Sequence, residues 1–197
     1  MGFLSVLSMA HKLVKERVSP GDTVIDATCG NGVDTRFLAE LVGKRGAVYA
    51  FDIQAEALER TRARLAGGDG GVTDKPGAEA AVHLVHASHA AIAEHVAPEA
   101  HGRAAAAMFN LGYLPGADQS VITTPAGTLA ALDAALALVR PGGIVTVVLY
   151  PGHPGGAEEA EAVQQWAASL PQTTAQAVLY RMVQKAEAPY LVAIEKR

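Results

Sequence analysis

The chain has 197 residues and a mass of 20.3 kDa, the size of one α/β domain with no room for a large second one. Half of its residues are hydrophobic and only 18% are charged, so a sizeable core is available and no apolar run approaches the roughly 20 residues of a membrane helix. A net charge of -4 and a pI near 6.0 disfavour a strongly electrostatic nucleic-acid binder, although local basic patches count for more than the sum.

The first helix is predicted over residues 3–18, where Phe3, Leu4, Leu7, Ala10, Leu13, Val14 and Val18 fall near one apolar stripe. No basic residues precede this apolar start, and His11 and Lys12 stand where a cleavage site would lie, so a signal peptide is not expected. His11, Lys12, Lys15 and Arg17 form a first basic patch, readable as an RNA contact or as an ordinary solvated face. Ser19-Pro-Gly-Asp22 ends the helix and launches a strand over Thr23 to Ala27. The strand runs into a turn carrying Gly30 and Gly32, then into a helix over Val33 to Val42. A second strand, Ala47 to Phe51, ends at Asp52.

In parallel α/β sheets, ligands sit at the carboxyl ends of the strands, where the chain order switches direction. Gly30 and Gly32 let backbone pass close to a ligand without a Cβ in the way. Asp52, 20 residues beyond Gly32, is placed to accept hydrogen bonds from ribose hydroxyls. The dinucleotide fingerprint would need a third glycine at position 35, where Thr35 stands, and Asp26 at the end of strand one would repel a pyrophosphate. A carboxylate there suits a cofactor with an ammonium group and no phosphate. Asp26-x-x-x-Gly30-x-Gly32 followed by Asp52 resembles motifs I and II of class I S-adenosylmethionine (SAM)-dependent methyltransferases. That resemblance assigns cofactor contacts to Asp26, Thr28, Gly30, Asn31, Gly32, Asp34 and Thr35 on the turn, and to Asp52, Ile53 and Gln54 after strand two. Cys29, the single cysteine, excludes an internal disulfide and fits a reducing cytoplasm. Inside the turn, Cys29 reads as a small packed residue more readily than as a catalytic thiol.

A helix over Ala55 to Leu65 carries a second basic patch, Arg60, Arg62 and Arg64, and residues 66–80 read as a Gly-, Asp- and Pro-rich surface loop without a motif. Strand three, Val82 to Val85, is followed by Ser88 and His89. In methyltransferases this position lies beside the adenine, so both are candidate base contacts, with helix capping as the other reading. Strand four, Ala104 to Phe109, delivers Asn110-Leu-Gly-Tyr113-Leu-Pro-Gly116 to the sheet edge. Amino-group methyltransferases often place an Asn or Asp and an aromatic residue at this spacing. The Asn110 amide oxygen, with a backbone carbonyl, can aim an amine, and Tyr113 can stack on a base or line the transfer site; the plain alternative is a Gly-Pro turn with a packed tyrosine. Asn110 also borders the cofactor.

Thr124 or Pro125 starts a helix over Ala126 to Val139, whose Ala and Leu content suggests burial on two sides. Arg140-Pro-Gly-Gly143 reads as the turn before strand five, Ile144 to Tyr150. In the Gly-rich loop Pro151-Gly-His-Pro-Gly-Gly156, His153 is the one titratable group and can act as a base near neutral pH. A helix to Ser169 opens with Glu158 and Glu159, and strands at Ala177 to Val183 and Tyr190 to Glu195 close the chain. Seven strands with a terminal hairpin fit a Rossmann-like class I methyltransferase: a mostly parallel sheet with helices on both faces, one domain over 1–197. The scattered histidines lack metal-site spacing, so no metal is expected.

Together, the segments 26–32, 110–116 and 150–156 resemble a family of small bacterial methyltransferases described as rRNA methylases. Members of that family methylate tRNA, converting 5-aminomethyl-2-thiouridine at the wobble position to the 5-methylaminomethyl form. The resemblance covers nearly the whole chain and implies SAM as cofactor, a tRNA anticodon arm as partner, a homodimer, and a cytoplasmic enzyme without membrane association. It points to Asn110 as the residue that orients the amine and to His153 or Tyr113 for help with the proton. Two features depart from expectation: the Gly- and Ala-rich insert near 67–80, and the acidic net charge. The alternatives are a methyltransferase of rRNA or of a small amine, and a non-catalytic SAM-binding module. A nicotinamide-dependent oxidoreductase is disfavoured by Asp26 and Thr35.

Overall fold

Strands separated by helices of ten to fourteen residues cannot close as hairpins; they pair in parallel and leave their connections on the sheet faces. The computed structural model describes residues 2–67, 80–112 and 123–197. In it β1 (Thr23–Asp26), β2 (Ala47–Asp52), β3 (Ala81–His86), β4 (Ala104–Asn110) and β5 (Val139–Leu149) pair in parallel, and β7 (Tyr190–Lys196) lies antiparallel between β5 and β6 (Ala175–Tyr180). The seven-stranded order is β3-β2-β1-β4-β5-β7-β6, so the strand order switches direction between the parallel neighbours β1 and β4.

Three helices cover each face. On one side α1 (Val6–Lys15), α2 (Val33–Val42) and α3 (Ala55–Leu65) bury Ala10, Val14, Leu38, Val42 and Leu58 against Val24, Val48, Ala50 and Ala106. On the other, α4 (Ile92–His95), α5 (Pro125–Leu138) and α6 (Gly156–Ser169) pack Ile92, Leu132, Leu136 and Val163 on Ile25, Phe51, Phe109 and Val147. The central strand β4 is buried along its length except at Asn110, as a strand covered on both faces must be.

Helices α2 and α3 have the predicted bounds. Helix α1 is shorter than residues 3–18, because the Ser5 side chain accepts the Ser8 N–H at 3.1 Å and caps it there. Thr124 caps α5 with Pro125 in the first turn. That helix is packed by the sheet, α4 and α6, yet Ala126, Ala130, Asp133 and Ala137 form an exposed stripe, so it is covered on a broad face and not all round. The Arg140-Pro-Gly-Gly143 segment differs in kind: it is not a turn before β5 but a bulge inside it. Pairing jumps from Ala104↔Val139 to Ala106↔Ile144. Gly143 has no alternative there, since a Cβ would lie 2.4 Å from Val139 Cγ1 and 2.8 Å from the Ala105 carbonyl oxygen. Arg140 at the bulge bonds both oxygens of Asp22, at 2.7 and 3.1 Å.

Candidate active site

The carboxyl ends of β1, β2, β4 and β5 open into a cavity of about 680 Å³ at the point where strand order reverses. Its floor is the glycine turn after β1, which α3 holds from behind. Thr61 Oγ1 donates to the Gly30 carbonyl at 3.2 Å, Arg64 Nε to the Asn31 carbonyl at 2.6 Å, and Arg60 to Asn31 Oδ1 at 3.2 Å. Arg62 pairs with Glu59. The second basic patch is therefore used largely inside the molecule. Gly32 adopts φ +76°, and a Cβ on it would stand 2.8 Å from the Thr61 Cα, so only glycine lets α3 approach this closely.

Asp52 closes the β2 side of the cavity. Its Oδ2 accepts the Gly30 N–H at 3.0 Å and its Oδ1 the Gln54 N–H at 2.9 Å, which fixes the carboxylate in the wall with Ile53 and Gln54 beside it. Ser88 and His89 form the next stretch of wall. The Ser88 hydroxyl caps a short helical turn by accepting the Ala90 N–H at 3.2 Å, while the His89 ring meets Phe109 edge-on at 6.0 Å. Burial pushes the His89 pKa below the usual histidine value, which keeps the ring neutral at pH 7.

Asp26, Gly32 and Thr35 are not in the wall. Asp26 is fully buried behind it, accepting the Thr28 N–H at 3.2 Å and the Thr35 hydroxyl at 2.6 Å. Burial, and then the nearby charge of Asp34, raise its pKa to about 7. The carboxylates that face the cavity are Asp34 and Asp52. Cys29 does line it, but its thiol is pushed up to about 12 by burial and by the charge of Asp26, so it is no thiolate at neutral pH.

At the far end, Asn110 leaves β4 with its backbone N–H on Thr28 Oγ1 at 2.7 Å. Tyr150, the residue after β5, reaches into the same corner. Its side chain shares the cavity lining with Asn110, and burial followed by the charge of Asp34 raises its pKa while the Asn110 side chain lowers it. Its ring stacks on His153 at 5.3 Å. Gly112, at φ +137°, admits this arrangement: a Cβ would sit 3.4 Å from the His153 ring. The neck of the acceptor segment is fastened by Gly112 N–H to Thr123 Oγ1 at 3.2 Å, and Thr123 in turn donates to Glu159 at 2.7 Å. Glu159, only 4% exposed, takes the Thr128 hydroxyl on its other oxygen at 2.6 Å.

The fold thus gathers Thr28, Gly30, Asn31 and Asp34 from the first turn with Asp52, Ser88, His89, Asn110 and His153 around one cavity. Tyr113 lies outside the described residues. Tyr150 and Thr123 escaped the sequence reading. Tyr150 looks like the end of a strand, and a side chain that shares the cavity lining with Asn110 across 40 residues leaves no spacing signal. Among the described residues, no three His, Cys, Asp or Glu side chains group as metal ligands.

A doubly wound sheet of this order, with an acid fixed at the end of β2 beside a glycine turn, defines a class I SAM-dependent methyltransferase. The chain belongs to the family described as Putative rRNA methylase, which matches residues 48–195, and a methyltransferase domain matches residues 18–69. It is 41% identical over 194 residues to an Arabidopsis thaliana protein named tRNA (mnm(5)s(2)U34)-methyltransferase, chloroplastic, covering 96% of this chain and 68% of that one. A crystal structure of a putative rRNA-methylase from Clostridium thermocellum is 38% identical, with a TM-score of 0.87 and full coverage of both chains. A putative methyltransferase from Streptococcus mutans in complex with S-adenosylhomocysteine (SAH) is 33% identical, with a TM-score of 0.83 and full coverage of both.

Proposed function

We propose that the protein methylates the primary amine of 5-aminomethyl-2-thiouridine at the tRNA wobble position, using SAM. The observation that carries this reading is Asn110: its amide borders the cavity at the end of β4, in a chain 41% identical to a relative named for that tRNA nucleoside. The cavity fits the cofactor on its own chemistry. Asp52 is pre-aimed by two backbone N–H groups toward a ribose, neutral His89 and Ile53 offer a base-sized apolar wall, and Asp34 faces the other end.

When bound, SAM supplies an electrophilic methyl group on a sulfonium. The protein's part is to place the acceptor amine, exclude water and remove a proton. Asn110, held by its backbone N–H on Thr28 and lining the cavity beside Tyr150, orients the nitrogen; His153 lines the same cavity, and Tyr113 is the other residue proposed to help with the proton. Cofactor contacts fall to Thr28, Gly30, Asn31, Asp34, Asp52, Ile53, Gln54, Ser88, His89 and Asn110, with Asp26, Gly32 and Thr35 shaping the turn from behind.

The anticodon arm is the proposed partner, and a homodimer the proposed assembly. Phe3, Leu4 and Leu7 are exposed at the start of the chain, which the Tyr180 hydroxyl ties to edge strand β6 by donating to the Leu4 carbonyl at 2.8 Å, and Val178 of β6 is 57% exposed. That apolar margin supports self-association. No helix among the described residues is long and apolar enough to cross a membrane. A cytoplasmic site is proposed in line with the lone, buried cysteine.

The test is transfer from labelled SAM to tRNA lacking the terminal methyl, followed by nucleoside mass spectrometry. Label is expected in 5-methylaminomethyl-2-thiouridine, with a loss of about a hundredfold in Asn110→Ala. Label confined to rRNA, or none in any RNA, overturns the reading.

A further inference from the structure

We propose that Asp34 accepts the proton lost by the substrate ammonium and that His11 of α1 returns it to solvent. This rests on the amine-methylation reading above. At neutral pH an aminomethyl group is an ammonium, whose nitrogen has no free electron pair. One N–H bond must break, its proton leaving, before that pair can form the new N–C bond while the methyl–sulfur pair stays on sulfur. Each turnover therefore releases one proton inside the cavity.

The carboxylates near the cavity differ in what they can do with it. Asp26 is fully buried behind the wall and committed to Thr28 and Thr35. Both Asp52 oxygens accept backbone N–H groups at the β2 side, and both Glu159 oxygens accept threonine hydroxyls. Asp34 lines the cavity and has a partner able to carry a proton onward. Its Oδ1 lies 2.6 Å from His11 Nε2. The His11 side chain is 28% exposed against 11% for Asp34, so the pair runs from cavity to solvent. The imidazole lies flat on Phe37, with centroids 3.9 Å apart and planes 5° apart, which holds Nε2 on the carboxylate.

Asp34 lines the same cavity as Asn110 and Tyr150, and its charge raises the Tyr150 pKa. The groups facing Asp34 are thus His11 from α1, Tyr150 after β5 and buried Asp26 from β1; Lys12 and Lys15 are the other cations of α1. In the cycle, the ammonium proton passes to Asp34, then to the imidazole, whose exposed edge gives it to water. Asp34 is the proton acceptor; His11 acts through it.

The experiment compares wild type, His11→Gln and Asp34→Asn, with melting temperature as a folding control. Steady-state transfer to undermethylated tRNA is measured with and without added imidazole, SAH affinity by calorimetry, and protons released when this tRNA binds the SAH-loaded protein by calorimetry in buffers of differing ionisation heat. Wild type is expected to release a proton on binding and Asp34→Asn to release none. In His11→Gln, kcat should fall by at least about tenfold, with KM for tRNA and SAH affinity within about twofold of wild type, and imidazole should restore part of kcat. Three results overturn the relay: a wild-type kcat in His11→Gln, equal proton release by wild type and Asp34→Asn, or a tenfold loss of SAH affinity in His11→Gln, which would assign the pair to cofactor seating. Absence of transfer by wild type removes the amine-methylation reading and the relay with it; normal transfer with an unaffected His11→Gln removes the relay alone.

Discussion

Asp26 is a carboxyl group kept out of water by its own fold. Burial, with the like charge of Asp34 behind it, raises its pKa to about 7, while the Thr35 hydroxyl and the Thr28 N–H pull the other way without matching the burial. A carboxyl whose folded pKa lies above its unfolded one contributes stability that is full below the unfolded value near 3.8 and is lost as pH rises through about 7. Asp26→Asn keeps the shape and cannot ionise. Its melting temperature minus that of wild type should be smallest near pH 4 and widen steadily toward pH 8. A difference that is flat over this range would show that Asp26 stays ionised and is stabilised by partners. At the same scale, Cys29 agrees with its sequence reading as a packed turn residue: burial and a neighbouring acid hold the thiol protonated.

At the scale of elements, the legible parts were those governed by local chemistry. The bounds of α2 and α3 follow from apolar spacing and glycine punctuation, and β4 from a continuous apolar run. What escaped depends on pairing or on distance. The β5 bulge requires knowing that Ala105 lies opposite Gly143. The helical turns between His89 and Ala100 are too short to show a period. The site divides the same way: Asp52 and Asn110 are visible from sequence because each ends a strand, and Gly30 because it marks the turn after one, whereas Tyr150, and the coupling of His11 to Asp34 across 23 residues, require the folded chain. Glu159 is the clearest such case, read from sequence only as a helix-opening acid. It joins α6 to α5 through Thr128 and to the neck of the acceptor segment through Thr123. Glu159→Ala leaves two threonine hydroxyls without their acceptor and should cost about 2–4 kcal/mol by urea denaturation. Glu159→Gln, retaining one acceptor and the volume, should recover more than half of that. In the Gln variant the KM for tRNA should rise more than the SAH dissociation constant; equal changes in both would assign Glu159 to general stability.

For the whole molecule, the arrangement of charge and apolar surface decides how an acidic chain can handle RNA as a partner. Arg60 and Arg64 hold the glycine turn and Arg17 pairs with Glu195, so much of the positive charge that looks available in the sequence is structural. Exposed Lys12, Lys15, Lys44, Arg45, Arg103 and Lys185 remain for phosphate contacts, and a second copy would double the surface offered to one anticodon arm. Edge strand β6 and the start of α1 supply the seam of the proposed dimer: among the described strands β6 pairs with β7 alone, its Val178 is exposed, and Phe3 and Leu7 are exposed on either side of Leu4, which bonds Tyr180 of β6. Leu7→Glu combined with Val178→Glu puts like charges across any two-fold seam made from this margin. The double variant is expected to run as a monomer by light scattering at concentrations where the wild type is a dimer. It should retain its SAH affinity, because the margin lies away from the cavity walls, while its KM for tRNA rises by about tenfold or more. A wild-type monomer would reject the dimer itself, and a double variant that is still dimeric would move the interface elsewhere on the surface. Unchanged KM in a true monomer would mean that one protomer alone holds the RNA.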